Sequence, residues 1–198
     1  MYNSEILTKE LVIQHKKNDN IGHLIKQYQD VSSIVFVLEN LGQLPKNFNS
    51  HFLLDYVMHH NALVRYWSIK NIAKLKDMQY LNLLKNVINN DIDTTVRREA
   101  VSAIGRLRNN GVKEFLICLL GDDDPKIVCQ AIRGLLVFKG EIVVDNHLKN
   151  LVNHDNEMVR SVILKEYFLK SDKNTLQSHI KSPDYLKNVI VHSDTLDA

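Results

Sequence analysis

His51, Asp55 and His59 stand four residues apart, which puts all three on one face of a helix. Imidazole and carboxylate groups gathered in that way are the side chains that ligate a divalent metal. Phe52, Leu53, Tyr56 and Val57 form the opposite stripe and account for the same spacing as an amphipathic helix. No further ligand stands nearby, so no metal is expected. Tyr66 and Trp67 are adjacent aromatics among Arg65, Lys70 and Lys74. Aromatic rings beside cations can stack nucleic-acid bases. A tryptophan can equally fill a gap between packed helices. Cys118 and Cys129 have neither metal-like pairing nor a disulfide framework. There is no phosphate-cradling glycine loop, and no Ser–His–Asp set can be assembled. Neither catalytic residues nor a cofactor are expected.

The elements that carry these residues recur. Asp93 stands where a helix N-cap belongs, because its short carboxylate can accept the free N–H groups of the first turn. Val96, Ala100, Ala103, Ile104 and Leu107 follow at helical spacing. The cap slot is filled in turn by Asn61, Asp93, Asp124 and Asn156, at intervals of 32, 31 and 32 residues. Three residues on stand Val64, Val96, Ile127 and Val159, and a small or apolar slot holds Ser68, Ala100, Ala131 and Ile163. Pro125 follows its cap, where a missing N–H costs nothing. A preceding helix is anchored by Phe52, Leu84, Leu116 and Leu148, spaced 32 throughout. Two helices per 31–32 residues make a hairpin that cannot bury its apolar face alone, so stacked neighbours must bury it for one another.

The run Asp-Thr-Thr-Val-Arg-Arg-Glu-Ala-Val-Ser-Ala-Ile-Gly-Arg-Leu, residues 93–107, resembles the HEAT family, in particular the short HEAT-like type first named from phycobilin lyases. The resemblance covers roughly residues 30–170. It implies an all-α solenoid of about five helical hairpins with end-capping helices, an outer layer of first helices and an inner layer of second ones. The family is a scaffold used for many purposes, so the likeness speaks for fold more than for function. Two runs, residues 96–109 and 130–139, also look like bacterial HEAT-like proteins associated with restriction-modification systems. HEAT-like DNA glycosylases share the architecture, but no catalytic Asp with Trp partners can be matched. HEAT-like di-iron hydroxylases use His-Glu pairs, and the sequence contains no such dipeptide.

In such solenoids the second helices line the concave surface. The positions opposite the core there include Tyr66, Lys70 and Lys74, then Arg98, Ser102 and Arg106, then Cys129, Arg133 and Val137, then Ser161, Lys165 and Leu169. That predicts a face carrying Lys70, Lys74, Arg98, Arg106, Arg133 and Lys165 beside Tyr66 and Trp67. A basic groove of this kind can neutralise phosphates; exposed helix positions also hold lysine and arginine for solubility alone. Arg65, Arg97 and Arg160 are set apart, because each stands four residues after its cap and can reach the cap or the next repeat's Asp.

The balance of 25 Lys and Arg against 23 Asp and Glu leaves a formal net charge of +2, so global charge names no partner. No apolar run approaches the ~18 residues a membrane helix needs, and the N-terminus shows no basic-then-apolar signal. With two unpaired cysteines, a reducing cytoplasm is expected. The predicted plan is a single solenoid over residues 1–192. It has an N-terminal cap at 1–29, repeats at 30–170, a C-terminal cap at 171–192 and a tail at 193–198. Within it, Lys16 to Asn20 should break two cap helices. Pro45 should stop the first inner helix, and Asn49 or Ser50 should start the next. The leading function is a non-catalytic scaffold that docks a protein or nucleic-acid partner on the concave face. The alternative is a DNA-binding protein, either a restriction-modification accessory or a glycosylase-type repair protein. A lyase- or hydroxylase-like enzyme would need ligands the sequence does not offer.

Overall fold

The computed structural model describes residues 6–45 and 47–169. All the regular elements of these residues are helical. They fall into two compact units, Met1–Leu107 and Arg108–Ala198.

The first unit begins with α1 (Lys9–Lys17) and α2 (Ile21–Lys26), the two expected cap helices. Asp19 breaks them in the left-handed region, at φ 52°. Next come α3 (Val31–Glu39), α4 (His51–Val57), α5 (Ala62–Leu75), α6 (Leu81–Asn90) and α7 (Thr94–Leu107). Pairs α4/α5 and α6/α7 are the hairpins, and α5 packs on both α3 and α7. Phe52, Leu84, Val64, Val96, Ile72 and Ile104 are all buried. The small slot is closed completely, with Ser68 and Ala100 at 0% exposure. Ser68 satisfies its buried hydroxyl on the Val64 carbonyl at 2.8 Å. The first inner helix ends earlier than the sequence suggested. Pro45 does not stop it: α3 stops at Glu39, and Gly42 turns the chain at φ 61°. Left-handed backbone just past a helix is where glycine costs least. Lys16 Nζ then donates to the Leu41 and Gln43 carbonyls at 2.7 and 3.0 Å, and Lys74 Nζ to the Gly42 carbonyl at 2.7 Å. Ammonium groups suit the electronegative end of a helix.

The second unit contains α8 (Lys113–Cys118), α9 (Pro125–Leu135), α10 (Ile142–Asn150) and α11 (Glu157–Ile163). The last runs into a wider turn over Leu164–Leu169. Helix α9 packs on α8 and α11. Leu116, Ile127, Ala131, Leu148, Val159 and Ile163 close its core at 0% exposure. Cys129, which the sequence placed opposite the core, is buried here at 2% exposure, and burial pushes its thiol pKa up. The expected turn at Ser171, the apolar positions Leu176 and Ile180, the stop at Pro183, the cap turn with Leu186, Val189 and Ile190, and the tail lie outside the described residues.

All four cap side chains act as the spacing required. Asn61 Oδ1 accepts from the Leu63 and Val64 amides, Asp93 Oδ1 from Thr95 and Val96, Asp124 from Lys126, and Asn156 from Met158. A further slot, two residues before each cap, was not recognised from sequence because it mixes residue types. His59 Nδ1, Asp91 Oδ1, Asp122 Oδ1 and His154 Nδ1 accept the cap residue's own N–H at 3.1, 2.9, 2.9 and 3.0 Å. What the slot requires is an acceptor at that reach, and imidazole and carboxylate both supply one.

This slot makes one repeat sensitive to acid. Burial, followed by the neighbouring His60 and Arg65, holds the His59 pKa below its ordinary value. The folded state therefore favours the neutral ring, the form that can accept the Asn61 N–H. As pH falls through about 6.5 the unfolded chain takes up the proton first, so stability is lost toward the lower folded pKa. His59→Asp keeps an acceptor that stays ionised. Thermal melts at pH 7.5 and 5.5 should show a smaller fall for His59→Asp than for the native chain. Equal falls would remove His59 as the cause.

Candidate functional site

Two consecutive turns of α5 and the matching turns of α7 supply the basic positions of the first unit. Lys70 Nζ donates to the Tyr66 hydroxyl at 3.1 Å and lies 4.4 Å from the centroid of the Trp67 ring. Tyr66 and Trp67 meet edge to face at 5.5 Å, and both are half-buried. One face of the indole is thus already occupied by an ammonium, a cation–π contact. Lys74 donates to the Gly42 carbonyl and to Asn71 Oδ1, both at 2.7 Å. Burial lowers the Lys74 pKa, and the charges of Lys70, Lys16 and Arg106 lower it further. Lys16, on α1, therefore belongs to the same cluster. Sequence reading missed it because it lies outside the repeats and reaches the site only through the fold.

On α7, Arg106 donates to Glu99 Oε1 at 3.3 Å and to Ser102 Oγ at 3.1 Å. Arg98 is half-exposed and has no hydrogen-bond partner among the described residues. Glu99 is the carboxylate set among these cations. Burial raises its pKa even though Arg106, Lys70 and Arg98 pull the other way. Most of these cations already hold something, so they are less free than an inner-face reading implies. Carbonyl and hydroxyl acceptors cancel no charge, however, so Lys16, Lys70, Lys74 and Arg106 remain mutually repelling, and Glu99 offsets charge on the Arg106, Lys70 and Arg98 side of the group.

Arg133 and Lys165 belong to the second unit. Arg133 is exposed on α9 and donates to Gln130 at 3.3 Å; Lys165 is exposed in the turn after α11. Their neighbours differ in kind, for Val137 and Leu169 are 46% and 38% exposed there.

The cap-adjacent arginines do structural work. Arg65 grips Asp91 through two bonds of 2.7 and 2.8 Å, and its Nη1 donates to the His59 and His60 carbonyls at 2.9 and 3.0 Å. Arg160 repeats the second half of that pattern on the His154 and Asp155 carbonyls, both at 2.7 Å. Arg97 donates to the Ile88 carbonyl at 2.7 Å. His59 of the metal-like trio is turned to Asn61, while His51 and Asp55 line a separate hollow with Asp19 and His23. No group of three His, Cys, Asp or Glu side chains that could hold a metal exists among the described residues. None of the helices among them is long and apolar enough to cross a membrane.

Beside this basic face, α3 and the start of α5 form a shallow hollow of about 620 Å³ lined by Val31, Ser32, Val35, Phe36, Glu39 and Leu63. The repeat spacing of 31 aligns Val35 with Tyr66 and Glu39 with Lys70, so this is the same face one repeat earlier. The signal was legible: α3 carries more apolar residues than its buried Ile34, Val37 and Leu38 account for.

The family model for HEAT repeats matches residues 50–136 and 81–167, together more than half of the chain. A Rickettsia felis protein carrying the name ankyrin repeat protein is 27% identical over 146 residues. That match takes in 67% of this chain but only 36% of the relative, so the chain spans about a third of that protein's length. Among solved structures, the complex of CpcE and CpcF of phycocyanin lyase from Nostoc sp. PCC7120 superposes with a TM-score of 0.60 at 20% identity. It covers 77% of this chain and 98% of that one. An engineered protein superposes at a TM-score of 0.52 and 15% identity, covering 80% and 82% of the two chains. At such identities the structural likeness concerns the fold alone.

Proposed function

The chain belongs to the HEAT-repeat family, and on that premise we propose that it is a non-catalytic scaffold docking a macromolecular partner on the α5–α7 face. The observation that carries this reading is the gathering of Lys16, Lys70 and Arg106 near Lys74, and of Lys70, Arg98 and Arg106 near the half-buried Glu99, with Tyr66 and Trp67 alongside. A cluster of like charges is unfavourable for the isolated fold and favourable for binding an anionic surface. Arg133 and Lys165 are proposed to serve the second unit in the same way.

The test is a salt series with two polyanions, poly-glutamate and a 20-base-pair DNA duplex. Affinity should fall steeply as salt rises, because charge-driven contacts are screened or release counterions. Arg98→Glu combined with Arg106→Gln should weaken binding about tenfold or more, on the scale of one lost charge contact each. Glutamine is the right change at 106, because that side chain contacts Glu99 directly at 3.3 Å, whereas Arg98 makes no hydrogen bond to it. Reversing exposed Lys9 and Lys26 on α1 and α2 should change binding much less. Equal losses from both pairs would reduce the face to a general charge effect. Strong binding of the duplex with none to poly-glutamate would favour the DNA-binding alternative, which rests on the same net positive face.

A further inference from the structure

We infer that the face of α3, α5 and α7 docks a peptide segment of a protein partner. That segment presents a large apolar side chain to the Val31–Leu63 hollow, and acidic residues about 10 Å away to the Lys70 cluster. This rests on the docking reading above and names the partner's chemistry.

Three observations carry it. First, Leu63 is 51% exposed on the turn of α5 that leads into Tyr66, Trp67 and Lys70, whereas the same slot of α7 holds Thr95. An exposed leucine set against half-buried Val35 and Phe36 makes a contiguous apolar patch, the kind that protein partners cover. Second, the hollow and the cations share one face. Leu63 and Lys70 are two helical turns apart, which is about 10 Å along the α5 axis. An extended peptide spans that distance in about three residues. Third, the charge pattern fits a peptide better than a phosphate backbone. Glu39 lines the hollow and would repel phosphates, yet it leaves room for one apolar side chain. The Trp67 ring, the natural base-stacking platform, already carries the Lys70 ammonium on one face. The free guanidinium of Arg98 extends the positive field from Lys70 onto α7, where Arg106 is paired with Glu99.

The experiment is selection of a twelve-residue peptide display library on the whole protein, followed by fluorescence-anisotropy titration of the enriched peptides. The expected peptides carry one large apolar residue with two or more Asp or Glu about three residues away. Replacing the apolar residue by Ser, or the acids by Asn or Gln, should each weaken binding about tenfold or more. On the protein side, Leu63→Glu should cause a similar loss. Because Leu63 is half in solvent, a far-UV spectrum and melt like the native chain's are expected, and Leu63→Ala supplies a milder variant for the same comparison. Acid-dependent binding that ignores both Leu63 variants overturns the hollow while leaving the basic face standing. Duplex or single-stranded DNA binding that far exceeds any peptide overturns the peptide partner. If neither peptides nor polyanions bind, the docking reading and this inference fall together.

Discussion

Asp91→Ala is expected to cost about 3–5 kcal/mol, because it leaves the Arg65 guanidinium buried without its counter-charge. The two side chains are only 10% and 7% exposed. Arg65 closes two bonds on Asp91, and Asp91 also accepts the Asp93 N–H at 2.9 Å, so one carboxylate ties two repeats together at the cap. Burial raises the Asp91 pKa, but the Arg65 guanidinium and the Asp93 amide outweigh it and hold it below the usual carboxylate value. Its contribution is therefore complete above about pH 3.9 and is lost as pH falls through the lower folded value. Arg65→Ala should cost at least as much, since the His59 and His60 carbonyls lose their donor as well. The comparison variant is Lys113→Ala, which removes the more exposed pair with Glu141. A pair of that kind contributes about 0–1 kcal/mol. Urea unfolding in which Asp91→Ala is no worse than Lys113→Ala would show that the Arg65–Asp91 pair is not the clamp described.

The second large effect is expected from Ile104→Ala, at about 2–5 kcal/mol. Ile104 is fully buried on α7, in the slot that holds Ile72 and Leu135 in neighbouring repeats. Truncation leaves a cavity in a tightly closed part of the core, where Ala100, Val101 and Ala103 of the same helix are also at 0% exposure. Asp93→Ala removes the α7 cap bonds to Thr95 and Val96 and should cost about 0.5–2 kcal/mol. The order of the two is the test. Denaturant midpoints with Asp93→Ala clearly below Ile104→Ala would place the core on a different face of α7.

By itself the sequence determined the helical class, the period and the caps. These are local properties: Asn61, Asp93, Asp124 and Asn156 each act on an amide two or three residues away, and the apolar slots follow from 3.6 residues per turn. It also pointed correctly to a structural role for Arg65, because that role recurs with the repeat. What only the tertiary structure decided is which polar groups meet across helices. Nothing local says that Lys16 and Lys74 converge on the carbonyls after α3, since the bonds span 25, 27 and 32 residues. Nothing local buries Cys129, which helical phase alone places among exposed positions; the packing of α9 against two neighbouring helices does so. The early end of α3 was hidden for a related reason. Pro45 is the stronger local signal, but the left-handed turn at Gly42, held by two lysines from other helices, comes first. The hollow beside Leu63 is partly a product of assembly: the surplus of apolar residues on α3 is legible in the sequence, but that Leu63 of α5 joins them is decided only when α3 is laid against α5.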